Sequence, residues 1–137
     1  MSIRIVTDSS CDLPQGVVDA HGIRVVPLSI RFGEQEYIDR EQLTTAEFWA
    51  KCATSATLPE TAAPAPGQFE QVYRALAAEG ATGIVVVSLS GALSATMQSA
   101  ELAARSVVDV VPVRVVDSRS VTLGVGTMAI ACAQRAA

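Results

Sequence analysis

The sequence predicts an α/β domain in which a parallel sheet is covered by helices on both faces, giving three layers. Three observations lead there. Short apolar runs alternate along the chain with amphipathic segments of helical length, the pattern of parallel strands joined by crossover helices. The runs are nearly continuous in Val and Ile, as expected of strands buried on both faces. The strand exits are rich in Ser, Thr and Asp, which cap helices and hold ligands at the carboxyl edge of such sheets.

Residues 3–7 read as the first strand, followed by the turn Asp8-Ser9-Ser10-Cys11-Asp12. Pro14 suits the first turn of a short helix ending near Gly22, with His21 in a capping or surface role. Residues 23–30 are apolar enough to form one strand buried on both faces, and Gly33 marks a turn into a short edge strand at 34–37. Thr44-Thr45-Ala46-Glu47 is a capping box that starts a helix through about Cys52. The recurrent prolines at 59, 64 and 66 predict no regular structure over 58–67. Residues 68–79 form the clearest helix, with Phe69, Val72, Tyr73 and Leu76 on one face and Gly80 as the stop. A strand over 83–88, a helix opening at Ser94 and running to 106, and a strand over 113–116 complete the alternation. Beyond the exit loop Asp117-Ser118-Arg119-Ser120, the spacing of Val121, Val125, Met128 and Cys132 is helical to the final residue.

Bulk composition excludes several classes. The 137 residues suffice for one domain with a substantial core. Half are hydrophobic and only 4% aromatic, so aliphatic side chains must build the core. Mean hydropathy is +0.35. Even so, no apolar run approaches the ~18 residues of a membrane span, and the start lacks a signal-peptide layout, which predicts a cytoplasmic protein. The net charge of −4, with no basic cluster, argues against a nucleic-acid partner. Cys11, Cys52 and Cys132 are widely spaced and predict neither a zinc site nor a disulfide framework.

The loops carry the functional signal. Thr7, Ser9 and Ser10 follow the first strand; Ser88, Ser90, Ser94, Thr96 and Ser99 follow the fourth; Ser118 and Ser120 follow the last. Thr61 lies in the Pro-rich stretch. Capping and turn formation account for Ser9, Ser10, Asp12, Ser118 and Ser120. Ser94 stands apart, because Ser90 and Gly91 already supply the turn. A hydroxyl-rich strand exit without Lys or Arg predicts an anion held by neutral hydrogen bonds and a helix N-terminus, which fits a carboxylate on an apolar molecule better than a phosphate ester.

Catalytic motifs fail in turn. Asp8 lacks the second Asp of haloacid-type phosphatases, no Lys stands at a strand end as in receiver domains, and Cys11 has no Arg at phosphatase spacing. The Ser90-Gly91 loop is no nucleophile elbow, and His21 is poorly placed for a triad. A binding module remains, with no cofactor implied. The alternative is an enzyme using the same loops on a small carboxylated or phosphorylated substrate, with Asp8 as its acid–base or metal-binding residue.

Taken together, several stretches resemble the DegV family, bacterial fatty-acid-binding proteins that act as lipid-carrying subunits of fatty acid kinase. They are Ile5-Val6-Thr7-Asp8-Ser9-Ser10-Cys11-Asp12-Leu13, Val25-Val26-Pro27-Leu28 with Tyr37-Ile38-Asp39, Thr61 with Pro64 and Gly67, Leu93-Ser94-Ala95-Thr96-Met97-Gln98-Ser99-Ala100, and Val116-Asp117-Ser118. The resemblance implies one long-chain fatty acid buried between two domains, no chemistry by the carrier itself, and a separate kinase that phosphorylates the presented carboxylate. It implies Thr61, Ser94 and Thr96 as carboxylate ligands, with Asp8, Ser9, Ser10 and Ser90 in support.

The chain departs from the family pattern at Ala62-Ala63-Pro64-Ala65, where two hydroxyls are lost, at Ala95 in place of Gly, and at Gly91 in place of Ser. Family members are about twice as long. On that basis residues 1–119 are expected to be the first α/β domain, and 120–137 a helix leading into a second domain lacking here. A surface meant for that domain would then be exposed and favour self-association.

Overall fold

A computed structural model describes residues 1–137. Its main sheet has four parallel strands in the order β2-β1-β6-β7. These are β1 (Ile3–Asp8), β2 (Arg24–Val26), β6 (Gly83–Ser88) and β7 (Val113–Asp117). Alternate residues of the central strands feed opposite faces. Val6, Ile84 and Val86 pack under α3 (Pro66–Ala78) and α4 (Thr96–Ser106), around Phe69, Tyr73, Leu76, Ala100 and Ala103. Ile5 and Val87 pack on the other face with Cys11, Leu13, Val18, Val125 and Ala129, from the 3-10 turn Ser9–Cys11 and the link after it, α1 (Gln15–Ala20) and α5 (Leu123–Ala136). This is the three-layer architecture expected from the alternating apolar runs. No helix is long and apolar enough to cross a membrane.

The segment α5, which the sequence reading sets apart from the 1–119 unit, supplies part of the core of that unit. Val125, Gly126, Ala129 and Ala133 are buried in it. The close approach depends on Gly126: a Cβ there would lie 2.6 Å from the Cys11 carbonyl oxygen.

Between β2 and α3 the chain leaves the main sheet to build a second, three-stranded antiparallel one in the order β4-β3-β5. Its strands are β3 (Ser29–Phe32), β4 (Gln35–Ile38) and β5 (Glu60–Ala62), and α2 (Thr45–Thr54) lies between β4 and β5 in the chain. Two expectations are corrected here. The single strand over 23–30 is two strands in different sheets, divided at Pro27 and Leu28. Pro27 has no N–H for the ladder, and the Leu28 N–H donates instead to Ser9 Oγ at 3.0 Å. Nor is β2 buried on both faces: it is an edge strand, with Arg24 exposed and only Val26 buried. The Pro-rich stretch, read as irregular, contains β5. Its prolines flank the strand, and β5 pairs on one side only, with β3, as a sheet edge permits.

Helix starts differ by small amounts. α2 begins at the expected capping box, with Thr44 Oγ1 accepting from the Glu47 N–H at 3.2 Å and Glu47 Oε2 accepting from the Thr44 N–H at 2.8 Å. It continues to Thr54 and buries none of its side chains. α3 starts at Pro66, whose missing N–H costs nothing at a first helical position. α4 starts at Thr96 and not at Ser94, because the Ser94 hydroxyl accepts from the Thr96 N–H at 3.2 Å and closes a turn ahead of the helix.

Candidate functional site

The carboxyl ends of β1, β6 and β7 come together in one row. Thr7 pairs with Val87 and Ser88 with Asp117, so Asp8, Ser88 and Asp117 lie side by side where the three strands end. Three of the chain's four non-glycine residues with left-handed φ follow these ends: Asp12 (52°), Arg119 (52°) and Thr122 (56°). Backbone held in such conformations must be fixed by its surroundings and collects at ligand sites.

Asp8 is buried at the tip of β1. Its Oδ1 accepts from the N–H and the hydroxyl of Ser10, and its Oδ2 accepts from the Leu89 N–H at 2.9 Å. Burial raises its pKa above the ordinary value, and these hydrogen bonds offset the shift only in part. With both oxygens accepting hydrogen bonds, Asp8 ties the β1 exit to the Leu89 loop. Ser9 is likewise buried, its hydroxyl accepting the Leu28 N–H. Ser90 is buried too, and its hydroxyl accepts from the Ala92 N–H at 3.3 Å.

Ser94 is half-buried, and its Oγ lies 2.8 Å from Thr96 Oγ1. Thr96 itself is fully buried. Ala95, the residue before α4, offers no side-chain cap, and the N–H groups of Ala95, Met97 and Gln98 have no partner within the chain. A helix N-terminus with free N–H groups beside a hydroxyl pair has the donors that one anionic group requires.

Thr61 sits elsewhere, exposed on β5 and paired in register with Ile30. It lines a cavity of about 450 Å³ with Ser9, Ile30, Arg40, Phe48 and Trp49 among others. Ser94 and Thr96 do not line that cavity. The structure thus joins Ser94 to Thr96, and Asp8 to Ser10 and the Leu89 loop, while Thr61 shares with Ser9 a cavity that Ser94 does not line. A further groove of about 510 Å³ beside α1 and β2 is walled mostly by polar and charged residues such as Arg4, Gln15, Asp19 and Arg24, which suits water better than an acyl chain.

Two residues escape the sequence reading. Arg40 brings a cation to the cavity beside Thr61, where only neutral donors were expected. It holds a left-handed φ of 67°, donates to the Leu13 carbonyl and leaves Nη1 buried without a partner. A Gly or Asn at this turn would have signalled the conformation, and Arg conceals it. Asp117 is the second. Its Oδ1 accepts from the Arg119 N–H at 2.8 Å and the Gly91 N–H at 3.2 Å, and these donors hold its carboxyl below the ordinary carboxylate value. The available signal was the repeated Asp-Ser dipeptide at the ends of two strands, Asp8-Ser9 and Asp117-Ser118.

Comparison with known proteins bears on this geometry. The family model described as "Uncharacterised protein, DegV family" matches residues 2–137. The fold is similar to that of a fatty-acid-binding DegV family protein from Thermus thermophilus, with a TM-score of 0.87 and 41% identity over 98% of this chain and 47% of that one. It is similar also to a stearic-acid-binding protein from Eubacterium ventriosum, with a TM-score of 0.89 and 26% identity over 96% of this chain and 46% of that one. A DegV domain-containing protein of Deinococcus radiodurans is 39% identical over 134 residues, 98% of this chain and 47% of the relative. The chain spans about half the length of the relatives it matches.

Proposed function

The chain belongs to the DegV family, and on that premise we propose that it binds a long-chain fatty acid by its carboxylate at the carboxyl edge of the main sheet. The observation that carries the reading is the uncapped start of α4, where Ser94 Oγ and the unpartnered N–H groups of Ala95, Met97 and Gln98 stand together. Ser94 receives the carboxylate and buried Thr96 orients the Ser94 hydroxyl. Thr61 adds a further donor, its hydroxyl unengaged within the chain. Asp8, Ser9, Ser10 and Ser90 support the site by fixing the loops from behind.

Two chemical arguments favour a lipid over a small polar acid. At Ser94 and the start of α4, neutral hydroxyls and a helix N-terminus stabilise one carboxylate without the desolvation cost of a buried ion pair. Exposed apolar side chains flank the loops: Leu93 after β6, Val116 on β7, and Val121 and Leu123 at the start of α5. An acyl chain laid on such a surface gains about 0.8 kcal/mol per buried methylene. The relatives' greater length supports a second α/β unit closing over the tail. The resemblance to subunits of fatty acid kinase supports a separate kinase as partner, to which the carboxylate is presented for acyl-phosphate formation.

Mass spectrometry of lipid extracted from the purified protein, alongside a Thr61→Ala/Ser94→Ala double variant, tests the reading. A stoichiometric fatty acid that disappears in the variant is the expected result. Lipid retained unchanged by the variant would remove these residues from the site. Absence of lipid, both here and in a version extended by a second unit, would overturn fatty-acid binding itself.

A further inference from the structure

The loop from Leu89 to Thr96 is held from both sides by carboxylates of the two strands that flank β6. On the β1 side Asp8 Oδ2 accepts the Leu89 N–H at 2.9 Å. On the β7 side Asp117 Oδ1 accepts the Gly91 N–H at 3.2 Å. Between them the Ser90 N–H donates to the Ser120 carbonyl at 2.8 Å, and the Leu93 and Ser94 N–H groups converge on the Ser90 carbonyl at 3.0 and 3.2 Å. The loop's own amides are therefore engaged one after another, and the free donors begin at Ala95, where α4 starts. Space is tight at the Asp117 arm: a Cβ on Gly91 would lie 3.3 Å from Asp117 Oδ2 and 3.4 Å from Met97 Sδ.

We infer that Asp8 and Asp117 form a two-carboxylate bracket that sets the geometry of the anion-receiving loop, and that Asp117 is a positioning residue governing affinity for the ligand's carboxylate without touching it. The inference rests on the proposed reading that Ser94 and the start of α4 receive that carboxylate. Asp117 acts through two bonds at once. By accepting from Gly91 it stops that amide from competing for the ligand and pins the turn that carries Ser94. By accepting from Arg119 it holds the β7 exit, whose Ser120 carbonyl takes the Ser90 N–H. Its negative charge, taken alone, would disfavour an incoming anion, so geometry and charge predict opposite effects of its removal.

That opposition makes the test sharp. Affinities of the purified protein for a long-chain fatty acid and for the fatty alcohol of equal chain length are measured for the wild type, Asp117→Ala and Asp117→Asn. Asp117→Ala is expected to weaken fatty-acid binding on the order of tenfold, as loss of a charge-assisted hydrogen bond implies, and to leave the alcohol unchanged. Asp117→Asn keeps an acceptor oxygen and is expected to restore most of the acid's affinity. Equal weakening of acid and alcohol by Asp117→Ala would reduce Asp117 to a general structural role. Stronger acid binding in both variants would mean that its charge outweighs its positioning, and unchanged binding would mean that it does neither. Each of these outcomes overturns the inference while leaving the fatty-acid reading intact. A wild type that binds neither ligand, both alone and extended by a second unit, would overturn that reading, and the inference with it.

Discussion

Asp8 and Asp117 are chemically identical and end the two strands on either side of β6, yet the fold treats them oppositely. Burial dominates at Asp8 and raises its pKa; backbone donors dominate at Asp117 and lower its pKa. The consequences for stability therefore differ in sign. A carboxyl with a raised folded-state pKa favours the fold most when protonated, so the Asp8 contribution is fully present below its ordinary value of 3.8 and is lost as pH rises through the raised value. The Asp117 contribution is present above 3.8 and is lost as pH falls through the lowered value. Denaturation profiles across the acid range should show Asp8→Asn flattening the loss of stability above pH ~4. A profile for Asp8→Asn parallel to the wild type would mean that burial at this site is not what its titration reports. At this scale the sequence was only half legible. It offered Asp8 and Ser94 as candidates through residue type and position after strands, and Thr61 through the family resemblance. It could not reveal that Asp117 reaches Gly91 or that Arg40 enters the Thr61 cavity, because those bring together residues distant in the chain.

At the scale of elements, legibility followed burial on both sides. β1, β6, α3 and the capped start of α2 announce themselves through continuous apolar runs, 3.6-residue periodicity and a capping box. The excursion β3-β4-β5 was misread where its signals conflict. Val25, Val26, Leu28 and Ile30 look like one strand, and only Pro27 marks the change of sheet. Around β5 the prolines that flank the strand hid it. α5 poses a different case, since periodicity predicts the helix while its docking depends on a glycine. Gly126 faces the Cys11 carbonyl and the Leu13 side chain, where an added Cβ would lie 2.6 Å from the carbonyl oxygen and 2.7 Å from Leu13 Cδ2. Gly126→Ala should therefore destabilise the fold by roughly 1–3 kcal/mol, as overpacking does, despite the better helix propensity of alanine. Urea denaturation reads the balance. A stabilised variant would show that α5 can lift from the Ser9–Cys11 turn without loss, and that its contact there is loose.

For the molecule as a whole, the distribution of exposed apolar groups matters most. Leu93 is 67% exposed, Leu123 53% and Val116 47%; Leu93 and Val116 lie on a loop and a strand tied together by the Ser90–Ser120 and Ser118–Ser88 backbone bonds, and Leu123 opens α5 just beyond them. Exposed apolar side chains near one set of strand exits favour a cover, and in the proposed function that cover is an acyl chain with a second α/β unit over it. The 137-residue chain by itself should therefore self-associate, opposed only by the repulsion of its net charge of −4. Sedimentation velocity across a concentration series provides the check. Association should grow with added salt, which screens like charges without weakening apolar contact, and should fall in a Leu93→Asp/Leu123→Asp variant. It should fall as well on saturation with a long-chain fatty acid, because lipid and a second copy would compete for one face. A chain that stays monomeric at every concentration and salt level would show that this face needs no cover. Association that the double variant leaves intact would place the contact elsewhere, with the aromatic side chains of α2, where Trp49 is 64% exposed, as the next surface to change.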